Sequence, residues 1–182
     1  MRYGWARAAV VTTLALALTA CGERAGASDE TAAENLRASE FFLASNARAE
    51  GVRVLPSGVQ YKIVTSGPTG SPSPDSNDLV RVDYEGSLTD GTVFDSSFQR
   101  GQPAVFSTED GLPGLSVVEG WREALQAMHV GDEWIVYLPP AKGYGEQGQG
   151  EIPPNAVLVF RLKLLELDPV PGGNEAAATA NG

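Results

Sequence analysis

Residues 80–97 read VRVDYEGSLTDGTVFDSS. Val80, Val82 and Tyr84 alternate with Arg81, Asp83 and Glu85, the two-residue period of a strand with one face buried and the other in water. The Asp90-Gly91 pair that follows is a dipeptide that reverses the chain between antiparallel strands, because glycine accepts the positive φ such turns demand. The return strand runs through Val93 and Phe94. A hairpin here predicts an antiparallel sheet.

Working outward, Trp121, Leu125 and Met128 recur at i, i+4 and i+7, the stripe of one short amphipathic helix, which Gly131 ends. Two apolar strands follow, DEWIVYL at 132–138 and AVLVFRLKLLEL at 156–167, and in the second Leu158, Phe160, Leu162 and Leu164 share a face. Upstream, Val59, Tyr61 and Ile63 alternate with polar residues as a half-buried strand does. SGPTGSPSPDSN at 66–77 is loop by composition. The connections are too brief for parallel crossovers, so the fold class is α+β, an antiparallel sheet with a helix packed across it.

The ends of the chain read differently. Arg2 and Arg7 precede 13 residues, AAVVTTLALALTA, that run up to Cys21. That is the charge order of a secretory leader and too short to span a bilayer. LTAC at 18–21 resembles a bacterial lipobox, with Cys21 the acylated residue, and Gly22 after it favours an outer-membrane destination. Two or more acyl chains anchor a protein stably. The expected organisation is a signal peptide at 1–20, a flexible tether at 21–31, an N-terminal helix within 32–54, one domain at 55–167, and a tail at 168–182 with too little apolar content to pack. In the helix, Leu36, Leu43 and Ala47 are expected on one face with Phe42 beside them, and Gly51 ends it.

Composition narrows the chemistry. The 182 residues carry a formal charge of −10, which excludes nucleic acid as a partner, since that needs a basic footprint. There is one histidine, His129, and one cysteine, Cys21. A nucleophilic pair must therefore be built around His129, which AMHVGDE places at a helix end, a structural position favoured by the dipole. One histidine without a free thiol does not make a zinc site, and Asp75 and Asp78 lack the spacing of a calcium loop. No glycine loop leads into a helix to cradle phosphate. No metal or cofactor is expected.

What remains is a set of large side chains where turns do not require them. Tyr84 lies in VDYEG, Phe94 and Asp95 in TVFDSS, Phe106 in PAVFST, Val117, Val118 and Trp121 in SVVEGW, and Tyr144 and Ile152 in a glycine-laden loop. Three blocks, VRVDYEGSLTDGTVFDSS, VVEGWREALQAMHVGDEW and GYGEQGQGEIPPNAVLVF, resemble successive signatures of the FKBP-type peptidyl-prolyl cis-trans isomerases. The resemblance runs in order from about Leu55 to Leu167. FFLASNARAEGVRVLPSGVQYKI is similar to the helix-to-strand entry of exported bacterial members.

The resemblance implies a bent antiparallel sheet wrapped around one short helix, with a shallow apolar pocket between them that takes a proline ring. Position by position, Trp121 would be the floor, and Tyr84, Phe94, Phe106, Val117, Val118, Ile152 and Phe160 the walls. The Tyr144 hydroxyl and the Val118 backbone N–H would donate to substrate carbonyls. Asp95 would sit at the rim, bonded to Tyr84 or paired with Arg100. Tyr84, Phe94, Asp95 and Tyr144 are then the catalytic candidates, and Phe106, Val117, Val118, Trp121, Ile152 and Phe160 the substrate-binding ones. Glu146 and Glu151 near the mouth would favour basic substrates. The implied activity is isomerisation of X-Pro bonds in unfolded or partly folded exported polypeptides, with rapamycin-type macrolides as candidate ligands. The competing possibility is a tethered peptide-binding or chaperone module with little turnover. A helix of about 19 residues can pack on its own domain, and a monomer is the expectation.

Overall fold

The computed structural model describes residues 22–171, with side-chain surroundings from residue 30 onward. The expected leader, Cys21 and the tail from residue 172 lie outside the described residues. Helix α1 spans Gly22–Asn46. Strands β1 (Val52–Val54), β2 (Gln60–Thr65), β3 (Leu79–Leu88) and β4 (Val93–Ser96) follow, then the one-turn helix α2 (Ser97–Arg100) and β5 (Ala104–Ser107). Helix α3 (Glu119–Ala127), β6 (Glu133–Leu138), a 3-10 turn at Pro140–Lys142 and β7 (Leu158–Asp168) complete the domain.

The sheet is antiparallel throughout, in the order β1-β2-β6-β7-β3-β4, with β5 also on β3. β3 is long enough to hold two partners on one edge. Its first half pairs with β5, from Leu79 opposite Ser107 to Val82 opposite Ala104, and its second half with β4, where Glu85 lies opposite Ser96. Between them α2 steps out of the sheet. The Ser97 hydroxyl accepts from the Tyr84 N–H at 2.9 Å and donates to Asp83 at 3.0 Å, so the β3 backbone is not left unpaired where the edge is interrupted.

The period-two pattern at 80–97 has its expected outcome, with Val80, Val82 and Tyr84 buried and Arg81, Asp83 and Glu85 only partly covered. The same alternation buries Trp134, Val136 and Leu138 on β6 and Leu158, Phe160, Leu162 and Leu164 on β7. Across this inner face lies α3, which contributes Trp121, Ala124 and Leu125, with Met128 just past its end. Gly120 makes that approach possible, because a Cβ there would sit 2.6 Å from Leu138 Cδ2. His129 lies beyond the helix, its side chain 56% exposed and its backbone N–H donating to Asp132.

The N-terminal expectations need correction. Helix α1 begins at Gly22, so the segment expected as a tether is helical from residue 22, in keeping with Glu23, Arg24, Ala25 and Ala27 as helix formers. It ends at Asn46 rather than near Glu50, and 52–54, expected with the helix, is strand β1, drawn into the sheet by pairing Val52 with Lys62 and Val54 with Gln60. The inward face also differs. Leu36 is 40% exposed and Ala47 is exposed, whereas Ser39 is buried. The helix docks mainly through polar groups: Asn46 donates to Gln60 Oε1 at 2.8 Å, Gln60 donates to the Leu43 carbonyl at 2.9 Å, and Phe42 meets Tyr137 at 6.0 Å between ring centroids.

Candidate functional site

The ends of β3, β4, β5 and β7 converge with the first turn of α3 on one side of the sheet. Tyr84 and Phe160 project from the adjoining strands β3 and β7, and Gly86 lies opposite Phe160 in the β3–β7 register. Only glycine fits there: a Cβ on Gly86 would stand 2.6 Å from Phe160 Cε1 and 2.7 Å from Phe94 Cε2. The space left by the missing side chain is filled by the two rings, which meet edge to face at 5.7 Å.

Trp121 is the hub. Its indole meets Tyr84 at 5.0 Å, Phe106 at 5.4 Å and Phe160 at 5.0 Å, with interplanar angles of 84°, 89° and 85°. Rings set edge to face in three directions form a cup rather than a stack, and above them opens a cavity of about 690 Å³. Tyr84, Phe94, Asp95, Phe106, Val117, Val118, Trp121, Tyr144, Ile152 and Phe160 all line it. Every one of the site residues expected within the domain is therefore on one concavity. Cys21 lies outside the described residues.

Sequence reasoning missed Ser116, Gln149 and Gly150 as lining residues, and of the two acids expected near the mouth it is Glu151 that lines the cavity. Gln149 and Ile152 exchange two backbone hydrogen bonds of 2.9 Å each, closing a tight turn whose tip is Gly150-Glu151. Glycine at 148 is required by its φ of +64° and by the Ile152 carbonyl, which would lie 2.2 Å from a Cβ. The cluster of glycines between Tyr144 and Ile152 is the signal in the sequence for this turn. The other side of the loop is held by Lys142, whose ammonium bridges Glu119 at 2.5 Å and Glu123 at 2.9 Å on α3.

At the rim, both expected partners of Asp95 are engaged at once. The Tyr84 hydroxyl donates to Asp95 Oδ2 at 2.5 Å and accepts from Arg100 Nη2 at 2.8 Å, while Arg100 Nη1 pairs with Asp95 Oδ1. Burial, followed by the hydrogen bond to Asp95, pushes the Tyr84 phenol above its ordinary pKa. Tyr144 is raised too, by burial first and then by the Asp95 charge. Among the donors at the cavity without an acceptor in the described residues are the Tyr144 hydroxyl and the Val118 N–H, and the Trp121 indole N–H beneath them is buried without a partner. The site thus offers an apolar cup, free neutral donors that include the Tyr144 hydroxyl and the Val118 N–H, and a rim acid already neutralised by an arginine.

Comparison with known proteins gives this constellation its family. A profile described as FKBP-type peptidyl-prolyl cis-trans isomerase matches residues 70–165. The chain belongs to that family. A second profile, the domain amino-terminal to FKBP-type isomerases, matches residues 9–63. The chain is 46% identical over 81% of its length to the FKBP-type isomerase FkpA of Aeromonas hydrophila, covering 53% of that protein. It is 40% identical over 80% of its length to the outer membrane protein MIP of Legionella longbeachae, covering 59% of it. Among solved structures, FkpA from Escherichia coli superposes with a TM-score of 0.71 at 34% identity, over 81% of this chain and 65% of that one. The chain thus spans between half and two thirds of the length of these relatives. The FKBP-like architecture expected for the domain is the one observed.

Proposed function

We propose that this FKBP-family domain is a peptidyl-prolyl cis-trans isomerase acting on proline-containing segments of unfolded or partly folded exported chains. The observation that carries the proposal is the convergence on Trp121: the rings of Tyr84, Phe106 and Phe160 set around the indole, with the Tyr144 hydroxyl and the Val118 N–H both free at the same cavity.

The chemistry follows from the peptide bond. Rotation about it costs about 18–20 kcal/mol because delocalisation holds the amide planar, and water around the carbonyl favours the charge-separated form behind that delocalisation. A prolyl ring seated on Trp121 and against the Phe94 and Phe160 rings leaves that water behind. Tyr144 and the Val118 amide then hold flanking carbonyls, fixing the chain in a turn that suits the twisted bond. No bond to the enzyme forms and no proton moves; the barrier falls because the cup fits the twisted state better than either planar isomer. A ten-thousandfold acceleration requires only about 5.5 kcal/mol, within reach of apolar contact and two or three hydrogen bonds. Uncatalysed X-Pro isomerisation takes tens to hundreds of seconds, slow enough to delay folding.

The same cavity supports competition by a rapamycin-type macrolide. The LTAC motif supports acylation of Cys21 and tethering to the cell envelope, and the relative named as an outer membrane protein supports that location. Bonds from α1 back to its own domain support action as a single copy.

The test is a protease-coupled isomerisation assay on short X-Pro peptides, using the chain from residue 22. Acceleration is expected, with Phe94→Ala lowering kcat/KM by roughly tenfold or more through loss of a wall that meets the twisted state. A wild-type protein that binds such peptides without accelerating them would refute the isomerase reading in favour of a peptide-holding module.

A further inference from the structure

Helix α1 reaches the pocket loop through three side-chain hydrogen bonds. Ser39 Oγ donates to the Asn155 carbonyl at 2.6 Å, Asn35 Nδ2 donates to the Pro154 carbonyl at 3.0 Å, and Asn155 Nδ2 donates back to the Ala32 carbonyl at 3.0 Å. Ser39 and Asn155 are each only 6% exposed. These are buried groups more than a hundred residues apart in the chain, and loss of either would leave its partner without compensation in a site that water reaches poorly.

Asn155 is also the only non-glycine residue with a positive φ among the described residues, at +57°. Asparagine tolerates that conformation better than most residues but still at some cost. Glycine would relieve the strain and lose the bond to Ala32. From the opposite side, the Asn155 N–H donates to the Gly145 carbonyl at 2.8 Å, one residue past Tyr144, and Asn155 lies three residues past Ile152. One residue thus ties α1 to both walls that the loop supplies.

We propose that α1 is a clamp on the pocket loop, with Asn155 and Ser39 as positioning residues that hold Tyr144 and Ile152 in their binding geometry. A loop with positive φ at Gly145, Gly148 and Gly150 has many alternative shapes open to it. Apparent affinity for a ligand falls in proportion to the fraction of molecules in the competent shape. The clamp raises that fraction from outside the cavity, since neither Asn155 nor Ser39 lines it. Its kinetic consequence rests on the isomerase reading; the clamp itself does not.

The test pairs amide hydrogen exchange with kinetics on Ser39→Ala, Asn155→Gly and Ser39→Thr in the chain from residue 22. In Ser39→Ala, protection of the Gln149, Ile152 and Asn155 amides should fall by about three- to tenfold, the factor an ordinary buried hydrogen bond commands. Protection of Val136 and Leu162 in the sheet should not change. KM should rise by the factor by which the competent fraction falls, with kcat nearly constant, and Ser39→Thr should restore both KM and protection. Asn155→Gly, which keeps the backbone conformation, should reproduce the effect. A merely structural role predicts fewer folded molecules, hence lower kcat at unchanged KM. That result, or unaltered exchange at the three loop amides, overturns the clamp. If the wild type shows no turnover, the isomerase reading fails and the exchange data alone decide the clamp.

Discussion

The indole of Trp121 and the ring of Phe160 meet edge to face, with centroids 5.0 Å apart and planes 85° apart. Each belongs to the buried core and each lines the cavity, so the floor of the site is also the join between α3 and β7. Stability and the shape of the cavity are therefore coupled at this contact.

Trp121→Leu tests that coupling. Large-to-small changes at buried aromatic positions cost about 3–5 kcal/mol when cut back to alanine, and leucine retains part of the packing, so a loss of about 2–3 kcal/mol is expected from urea unfolding. Isomerisation should fall by more than the folded fraction explains, because Tyr84 and Phe106 lose their common partner as well. Activity measured at equal concentrations of folded protein separates the two effects.

The Tyr84–Asp95–Arg100 triangle yields a different balance. Asp95 and Arg100 are each 43% exposed in their side chains, so their ion pair is screened by water. Arg100→Ala should change stability by less than about 1 kcal/mol. Tyr84 is 5% exposed, and Tyr84→Phe leaves a rim carboxylate without its neutral donor. A double-mutant cycle with Asp95→Asn should give a coupling of about 1 kcal/mol between Tyr84 and Asp95. A coupling near zero would mean that the triangle positions Asp95 without stabilising it.

Much of this architecture was legible because local periodicity and burial agree. The alternation of Val80, Val82 and Tyr84 and the i, i+4, i+7 stripe of Trp121, Leu125 and Met128 survive unchanged in the core. The site was legible only through motif resemblance, since nothing in the spacing of Tyr84, Trp121 and Phe160 says that they meet. The docking of α1 was legible only in Phe42 and Leu43, which are half-buried, with Phe42 against Tyr137. The rest depends on Asn35, Ser39 and Asn46 rather than an apolar stripe, and polar residues on a helix read by default as the wet face. The break between β4 and β5 was hidden for another reason: α2 is a single turn, capped by the Ser96 side chain, below the length at which periodicity can be counted.

Gly86→Ala isolates the cup from the chemistry around it. The added methyl would meet Phe160 at 2.6 Å and Phe94 at 2.7 Å, so one ring must swing out or the strands must part. Overpacking of this kind costs about 1–3 kcal/mol. Since both rings line the cavity, kcat/KM should fall even where the protein stays folded, and the near-ultraviolet dichroism of the aromatic cluster should change with it. Normal activity in Gly86→Ala would show that the Phe94–Phe160 contact is dispensable for turnover.

Burial raises the pKa of the Tyr137 phenol outside the cavity, and the two cavity tyrosines add to its effect on the pH behaviour. Both cavity phenols are held above the ordinary value of about 10. As pH rises past about 10, the unfolded chain gives up these protons first, while the folded chain still holds them. Their contribution to stability is therefore complete below that pH and is lost as pH climbs through the folded pKa values. Urea unfolding should show a decline above about pH 10 that is shallower in Tyr84→Phe, which removes one of the retained protons. Below it, Tyr144 stays protonated and able to donate, so kcat/KM should be flat from about pH 6.5 to 9. Tyr144→Phe should lower kcat/KM by about three- to tenfold, the worth of one hydrogen bond to substrate. Its stability should lie within about 0.5 kcal/mol of wild type, because the hydroxyl has no partner among the described residues to lose. A fall in kcat/KM centred below pH 9 that vanishes in Tyr144→Phe would mean that the phenol ionises early and that its burial does not govern its proton.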